Sequence, residues 1–597
     1  MATISAGYFI CIAAACGYTF DLKFLDVGCF MQTKLRLSSQ GIVVMYANND
    51  LETIDKLNKY YPVHYNRKGT EATLSARFIP EVLKDFRGID ESNIVSAPPQ
   101  IQSLYWRETA ARRRIDDLMQ NGPTHSPVVN EHLTLMRHQE LGREIAEVRD
   151  RYCFFFDTRT GKTPLSLSIM YDDLVANPHH KWLVVCPLIL IENAWLPDAK
   201  QFIPDIKTVS CHAPTKDKRI SLINSDAQIY VTNIESFASY KEYFDAKGFT
   251  GCIVDESSVM KSPKSKQSKA LVDFSGTVKR FYLLSGTPAP NGEWEYFMQL
   301  RAIDYYSMPS SYTKFKEKYF MNVSYNPQYE KLHLRPDKRD ELLALIKKYA
   351  IYVDKEDVLD TPGREFIEVP IQMPKELQKR YRTLKNELYL EVGDKQLTAP
   401  SAAAKLNKLN QVTSGFVLDT QAIKENKFYE DSNEPEWYFL SDYRFEQLRV
   451  LLQSEACAGQ QVLIWANYRK EFESIHAMLG DRCRCIYGAT SLQDKNDALR
   501  LFKSGAIQYL IANPASADKG LTLTNCHICV YFSLNWSYEL FRQSMERIYG
   551  DRSKQPFKCL YYVLLAEHTI DEVLYRDVLQ GKGDASAAVL SHLKGGI

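Results

Sequence analysis

The sequence lacks a dominant charge, a membrane-length apolar run and a paired cysteine motif. Its 74 basic and 73 acidic residues leave a formal charge of +1 over 597 residues, so local clusters matter more than the overall charge. Residues 1–20 carry no charge, but their apolar run at 8–16 is shorter than the roughly 20 residues that cross a bilayer. That run also lacks the basic leader of a signal peptide. The sequence therefore predicts no membrane association.

The thirteen cysteines are scattered along the chain. Several, including Cys153, Cys186 and Cys252, lie in apolar runs, where a thiol behaves as a small hydrophobic side chain. Cys526 and Cys529 have the spacing of half a zinc site, but no second pair of matching spacing accompanies them. The pattern favours a reducing cytoplasm and disfavours a zinc site.

The length predicts roughly three to four domains, and the 45% apolar content is that of a globular protein. We expect an extension at 1–30 and a small α/β accessory module with a linker helix at 31–120. Two series of apolar runs separated by helical patterns follow at 125–355 and 441–585, and 356–440 is predicted as a connector with a helical insertion. Such alternation predicts an α/β fold with two parallel-sheet lobes in tandem.

Individual strands can be assigned within both series. In the first lobe, we predict strands around residues 154–156, 183–187, 229–232, 252–254 and 281–284. In the second lobe, we predict strands around residues 461–465, 485–487, 509–512, 528–531 and 559–564. A long helical stretch is expected at 308–352, and Arg112, Arg113 and Arg114 are expected to form a solvent-facing helix surface rather than a phosphate-binding patch.

The most specific local signal is an apolar strand that stops at Gly161, Lys162 and Thr163. A strand that ends in such a loop presents backbone N–H groups, one ammonium and one hydroxyl to a triphosphate and its Mg²⁺. Further along the chain, a second apolar run ends at Asp255 and Glu256, two carboxylates able to hold the metal and orient the attacking water. Together these segments predict a nucleotide-driven enzyme.

The order of these segments resembles that of superfamily-two helicases, and specifically of the Swi/Snf-like DNA translocases, including compact forms from phages and bacteria. The resemblance covers residues 133–571 and is carried by segments 135–139, 161–163, 184–187, 229–235, 255–256, 285–288, 462–468, 519–524 and 543–547. It implies two RecA-like lobes, ATP and Mg²⁺ as cofactors, and DNA, in duplex form, as the partner. It also implies the cytoplasm of a bacterium or a phage-infected cell as the location.

In the first lobe, the resemblance implies that Gln139 selects adenine through its amide. Thr160 and Gly161 would contact the phosphates through the loop, with Lys162 on the β- and γ-phosphates. The loop departs from the usual pattern, because Arg159 stands where many relatives have glycine and Phe156 stands where the strict phosphate-loop pattern has one.

Thr163 and Asp255 are implied to hold Mg²⁺, and Glu256 to orient or deprotonate the attacking water. A lysine-rich segment at 261–269 resembles a loop that lies near DNA, although an ordinary solvated loop explains it equally well. The segment 285–288, Ser-Gly-Thr-Pro, has small hydroxylated residues that could form hydrogen bonds toward the carboxylates and report loss of the γ-phosphate.

In the second lobe, the resemblance implies backbone contacts to nucleotide and DNA near Gly520, and a catalytic cation from Arg547 that reaches the γ-phosphate from the other side of the ATP. Relatives have a second arginine where this chain has Gly550, and Arg552 could replace it only if the loop shifts.

The leading hypothesis is an ATP-dependent translocase on double-stranded DNA. A nucleotide-gated DNA-binding scaffold with weak turnover is the alternative, because the phosphate loop is atypical and the second arginine is missing. A phosphate-loop enzyme that acts on a small metabolite is disfavoured by the second lobe and by the 285–288 segment.

Overall fold

The computed structural model describes residues 34–38, 41–46, 50–324, 330, 332–387, 389–392, 395–398, 402–419, 437–516 and 522–583. These residues form two compact units that divide between Val358 and Leu359, which we call the N-terminal and C-terminal units. The extension predicted at 1–30 lies outside the described residues, and the domain boundaries drawn from the sequence stay predictions. None of the helices within the described ranges combines the length and apolar character needed to cross a bilayer.

The N-terminal unit begins with a small antiparallel sheet and three helices. Its four strands, in their order across the sheet, are Lys34–Ser38, Gly41–Met45, Glu71–Leu74 and His64–Tyr65. The helices are Leu51–Tyr60, Ile79–Arg87 and Pro99–Asn121. Apolar side chains from this region belong to the same buried cluster as those of the large sheet that follows. The accessory region therefore packs into the core of its unit instead of being tethered to it.

Arg77 joins the accessory region to the large sheet. Its guanidinium donates hydrogen bonds to the carbonyl oxygens of Lys348 at 2.8 Å and Arg151 at 2.6 Å. The same guanidinium lies 4.4 Å from the centre of the Tyr349 ring, within cation–π range. Because Arg151 begins one strand of the large sheet and Tyr349 precedes another, Arg77 links the accessory region to two neighbouring strands.

Of the three arginines expected to form a solvent-facing surface on helix Pro99–Asn121, only Arg113 is exposed. Arg112 is half-buried and pairs with Glu81 at 3.0 Å and with Glu108 at 2.9 Å. Arg114 pairs with the buried Glu144. The expectation was wrong for Arg112 and Arg114 because carboxylates from neighbouring helices face them, so their charges are neutralised within the fold.

The large sheet of the N-terminal unit has seven parallel strands. In their order across the sheet they are Ala350–Val353, Arg151–Phe156, Arg280–Leu284, Gly251–Asp255, Trp182–Cys186, Ile229–Asn233 and Thr208–Ser210. The main helices that accompany them are Arg137–Val148, Lys162–Ala176, Leu196–Phe202, Lys216–Asn224, Ile234–Ser239, Lys241–Ala246, Lys266–Ser275 and Tyr296–Ile303. All five strands predicted for this lobe are confirmed.

The long helix expected at 308–352 is absent from the described part of this segment. Two short helices, Tyr312–Tyr319 and Arg339–Lys347, flank a hairpin of strands Phe320–Asn322 and Leu332–Leu334. The segment ends in the strand Ala350–Val353 at the edge of the large sheet. Pro336, which cannot continue a helix, precedes the second helix. The helical prediction is therefore correct for Tyr312–Tyr319 and Arg339–Lys347 and wrong for the hairpin strands between them.

The C-terminal unit contains a six-stranded parallel sheet. Across the sheet its strands are Arg364–Ile371, Cys559–Ala566, Ile528–Tyr531, Val462–Trp465, Tyr509–Ala512 and Cys483–Ile486. Its longer helices are Lys375–Glu387, Ala402–Thr413, Tyr443–Gln453, Arg469–Leu479, Leu492–Lys503 and Tyr538–Met545. The five predicted strands are confirmed. The sixth, Arg364–Ile371, precedes the predicted start of this lobe at 441, although it pairs with Cys559–Ala566.

A buried ion pair connects elements of the C-terminal unit. Arg444 and Asp571 lie 2.6 Å apart, with side chains 1% and 2% exposed. Arg444 also donates to the carbonyl oxygens of Phe532 at 2.6 Å and Leu564 at 2.7 Å. A buried charge is tolerated when its hydrogen-bonding capacity is satisfied in this way. The pair connects a helix to the ends of two adjacent strands.

The role of Arg77 is testable by Arg77→Met, which keeps an apolar stem but removes both hydrogen bonds. We expect the free energy of unfolding to fall by about 2 kcal/mol, since two buried carbonyl groups lose a charged donor. Urea denaturation monitored by circular dichroism measures the change. Arg113→Met is the control, because Arg113 is exposed and pairs with Glu91 at the surface, where ion pairs contribute little. Equal stability of the two variants would contradict the role of Arg77.

Candidate functional site

The loop at residues 157–161, which we call the phosphate loop, connects the strand Arg151–Phe156 to the helix Lys162–Ala176. Gly161 is the residue that caps this helix, and its φ of +77° lies in the left-handed region that favours glycine. The Lys162 ammonium folds back over the loop and donates to the carbonyl oxygens of Phe156 at 3.1 Å and Asp157 at 3.3 Å. Loop and ammonium thus meet at a helix N-terminus, where an anion is favoured.

Two buried side chains of the preceding helix support the phosphate loop. The Gln139 amide nitrogen donates to the carbonyl oxygens of Thr160 at 3.0 Å and Gly161 at 3.4 Å, while its oxygen accepts from the Met136 N–H at 2.9 Å. His138 donates from Nε2 to the Thr160 carbonyl at 2.6 Å. Burial lowers the pKa of His138, which favours the neutral ring. Gln139 is thus engaged with the loop, and its adenine-selecting role stays a prediction.

Arg159 occupies a strained position in the phosphate loop. Its φ is +65°, in the left-handed region, which costs a side-chain-bearing residue about 1–2 kcal/mol. This is the position at which the resemblance led us to expect glycine. The structure therefore gives a conformational reason for glycine there, and shows that this chain adopts a left-handed backbone with arginine at that position.

The acidic pair, Asp255 and Glu256, follows the strand Gly251–Asp255. The Asp255 carboxylate accepts hydrogen bonds from the Trp195 indole at 3.1 Å and from the Glu256 N–H at 3.0 Å. Burial, and then the charge of Glu256, raise the pKa of Asp255 to about 6, while the charge of Lys162 acts in the opposite direction. The strands that lead into the phosphate loop and the acidic pair run parallel in one sheet, separated only by the strand Arg280–Leu284, so both lie at its carboxyl edge.

The 285–288 loop lies against the phosphate loop. It follows the strand Arg280–Leu284, which lies between the strands that lead into the phosphate loop and the acidic pair. A Cβ placed on Gly286 would lie 3.2 Å from the backbone nitrogen of Thr158, so only glycine fits this approach without displacement. The Ser285 hydroxyl accepts from the Thr287 N–H at 3.1 Å. Three loops therefore converge at the carboxyl edge of adjacent strands.

The residues at this edge fit a magnesium ion. Asp255 and Thr163 would supply carboxylate and hydroxyl oxygens, which are ligands suited to Mg²⁺, and the Trp195 indole donates a hydrogen bond to the Asp255 carboxylate. A cation would also offset the repulsion that raises the pKa of Asp255. Within the described ranges no group of three or more histidine, cysteine or acidic side chains could hold a metal by itself. The ion would therefore depend on phosphate oxygens for further ligands.

In the C-terminal unit, Arg547 follows the helix Tyr538–Met545 and is 7% exposed. Its carbonyl oxygen accepts from the Leu523 N–H at 2.8 Å, which fixes the backbone at this point. Gly520 lies outside the described residues. Arg552 is engaged elsewhere, because its Nε donates to Asp360 at 2.9 Å. A move of Arg552 into the role of the missing arginine would break that ion pair.

These features define the class of the protein. A phosphate loop and an acidic pair at the edge of one parallel sheet, followed by a second parallel sheet, are typical of helicase-type nucleoside triphosphatases. Residues 52–424 match the SNF2-related domain, and residues 443–550 match the helicase conserved C-terminal domain. The chain belongs to the SNF2-related family. The family recognised from the sequence and the assignment as an ATP hydrolase are thereby confirmed.

Several curated proteins are similar to this chain. Putative protein p41 of Acyrthosiphon pisum secondary endosymbiont phage 1 is 24% identical over 429 residues, which cover 69% of this chain and 89% of that protein. The human SWI/SNF-related matrix-associated actin-dependent regulator of chromatin subfamily A member 1 is 20% identical, over 67% of this chain and 37% of that protein. The mouse DNA annealing helicase and endonuclease ZRANB3 is 22% identical, over 77% of this chain and 41% of that protein. The chain spans less than half the length of the two mammalian relatives.

Among solved structures, the Sulfolobus solfataricus SWI2/SNF2 ATPase core in complex with dsDNA is similar with a TM-score of 0.36 and 18% identity. The match covers 79% of this chain and 98% of that one. At this level of similarity, the family assignment depends on the sequence matches.

Gly161→Ala tests the packing of Gln139 on the phosphate loop. An added Cβ would overlap the Gln139 amide nitrogen, so we expect the KM for ATP to rise about tenfold, an effect of about 1.4 kcal/mol. Steady-state ATPase assays measure it. Gly248→Ala is the matched control, because Gly248 has a φ of +71° and open space around its Cβ position. If Gly161→Ala binds ATP as well as Gly248→Ala does, the packing of Gln139 on the phosphate loop does not determine the affinity for ATP.

Trp195→Phe tests the hydrogen bond to Asp255. Loss of a donor to a buried carboxylate costs about 1.5–3 kcal/mol, so we expect kcat to fall at least about tenfold. Trp182→Phe is the control, because the Trp182 indole donates to Asp173 at 2.8 Å in the same unit and is equally buried. That variant should lose thermal stability but keep its kcat. A normal kcat in Trp195→Phe would show that the indole does not position Asp255 for catalysis.

Proposed function

We propose that this protein is a DNA-dependent ATPase that couples ATP hydrolysis to movement on double-stranded DNA. The observation that carries the proposal is the convergence of Lys162, Asp255 and Glu256 at one sheet edge, in a chain of the SNF2-related family. We infer that DNA is the substrate from the resemblance and from the mouse relative, which is named as a DNA annealing helicase.

The chemistry assigned to the N-terminal unit follows from its geometry. Lys162 would exchange its bonds to the Phe156 and Asp157 carbonyls for bonds to the β- and γ-phosphates, which are stronger partners for an ammonium. Backbone N–H groups at Thr160 and Gly161 would contact the phosphates, and Thr163 and Asp255 would hold Mg²⁺.

Glu256 would orient or deprotonate the attacking water, and bound Mg²⁺ would neutralise charge on the phosphates. Glu256 follows the strand directly, with a φ of +56° that turns its side chain away from the extended path of the chain. In the C-terminal unit, Arg547 would supply a cation to the transition state, and the segment around Gly520 would contact the nucleotide. Gln139 would select adenine.

Binding to DNA has local electrostatic support. Lys264, Lys266 and Lys269 follow the acidic pair and are exposed, so they can neutralise phosphates without loss of a buried contact. Movement would follow if the nucleotide state changes the affinity of each unit for the DNA backbone, because alternating affinities convert hydrolysis into steps.

The test is phosphate release with single-stranded, duplex and forked DNA, together with triplex displacement as a measure of movement. We expect duplex DNA to stimulate turnover, and Lys162→Ala and Glu256→Gln to lower kcat at least about 100-fold. Lys279→Ala is the control, because Lys279 is an exposed lysine of the same unit. Tight DNA binding without turnover would instead support the nucleotide-gated scaffold. Turnover without triplex displacement would contradict movement on DNA.

A further inference from the structure

Gln299, a residue outside all the sequence motifs, connects two loops of the candidate site. It lies in the helix Tyr296–Ile303 and is fully buried. Its Oε1 accepts a hydrogen bond from the Ser257 hydroxyl at 2.7 Å. Its Nε2 donates to the carbonyl oxygens of Pro288 at 2.7 Å and Glu295 at 3.1 Å. The amide therefore accepts one hydrogen bond and donates two, all to partners within the protein.

The orientation of this amide is determined by its partners. The Pro288 and Glu295 carbonyl oxygens can only accept, so the amide nitrogen must face both of them. The amide oxygen then faces Ser257, whose hydroxyl donates to it. A reversed amide would place an oxygen against two buried carbonyl groups, which is unfavourable in a low-dielectric interior. Gln299 consequently holds Ser257 and Pro288 in one fixed arrangement.

The two residues that Gln299 holds belong to the loops that carry the chemistry. Ser257 directly follows Glu256, whose left-handed backbone costs about 1–2 kcal/mol and needs support from its surroundings. Pro288 ends the 285–288 loop, which approaches the phosphate loop at Gly286. A single side chain thus connects the turn that orients the Glu256 carboxylate to the loop that lies on the phosphate loop.

We propose that Gln299 is a positioning residue that sets the Glu256 carboxylate relative to the phosphate loop through Ser257 and the 285–288 loop. The inference rests on the proposed hydrolytic role of Glu256, and it adds a residue that no motif contains. Gln299 is buried behind the two loops and contacts them by hydrogen bonds within the protein, so it acts on the rate of hydrolysis and leaves nucleotide binding to the phosphate loop.

A purely structural role would have a different signature. Gln299 would then stabilise the unit like any buried, fully bonded glutamine, and its loss would lower the melting temperature without changing kcat per folded molecule. Ser307 offers a matched control for that role. It is fully buried, follows the same helix, and its hydroxyl donates to the Leu300 carbonyl at 2.9 Å without contact to either loop.

The experiment compares Gln299→Leu, Ser257→Ala, their double variant, Ser257→Thr and Ser307→Ala in the full chain. ATP turnover gives kcat and KM, fluorescent ATP-analogue titration gives affinity, and thermal denaturation gives the folded fraction. We expect Gln299→Leu and Ser257→Ala each to lower kcat about tenfold or more, with the affinity for the analogue changed less than about twofold. The double variant should resemble Gln299→Leu alone, because both single changes break the same connection. Ser257→Thr keeps a hydroxyl and should retain most of the activity.

Several outcomes would overturn the inference. An unchanged kcat in Gln299→Leu, or a loss no greater than that in Ser307→Ala, would leave Gln299 with a structural role only. Multiplicative losses in the double variant would show that Ser257 and Gln299 act independently. Wild-type protein without ATP turnover would refute the proposed function and this inference together, whereas wild-type turnover that Gln299→Leu retains would refute this inference alone.

Discussion

The phosphate loop depends on hydrogen bonds from its own chain. It contains two left-handed residues, Arg159 and Gly161, between a buried strand and a helix. Such a backbone leaves carbonyl groups without the partners that a regular element would provide, and buried carbonyl groups need donors. Gln139, His138 and the Lys162 ammonium supply them. The loop conformation is therefore stabilised by side chains from the helix that follows it and from the helix Arg137–Val148.

The parallel sheet brings the other loops of the site next to the phosphate loop. Because its strands run in one direction, their carboxyl ends meet at one edge, and the phosphate loop, the acidic pair and the 285–288 loop emerge side by side. Gln299 then connects Ser257 to the 285–288 loop through Pro288, and the Trp195 indole donates a hydrogen bond to Asp255. At the start of the strand Arg151–Phe156, Arg77 ties the accessory region to the same sheet. The accessory region and the sheet that carries the site therefore contribute to the same hydrophobic core.

Prediction from the sequence was correct where the residue types of a segment allow only one kind of local structure. Strands buried on both faces appear as short apolar runs, so the ten predicted strands were confirmed in both sheets. Prediction failed where contacts with residues distant in the sequence determine the local structure or the exposure of a side chain. The helix expected at 308–352 was interrupted by a hairpin, and Arg112 and Arg114 met carboxylates from other helices. The strand Arg364–Ile371 was assigned to a connector because its pairing partner lies almost two hundred residues later in the chain.

The sequence by itself determined the family, the two parallel sheets and the positions of Lys162, Asp255 and Glu256, because strand ends and phosphate loops have local signatures. Only the tertiary structure decided which side chains orient those groups. Gln299 lies outside every segment recognised from the sequence, and the hydrogen-bond partners of Gln299, His138 and the Trp195 indole lie in other loops. Hydrogen bonds between distant segments depend on packing, and no local pattern encodes them.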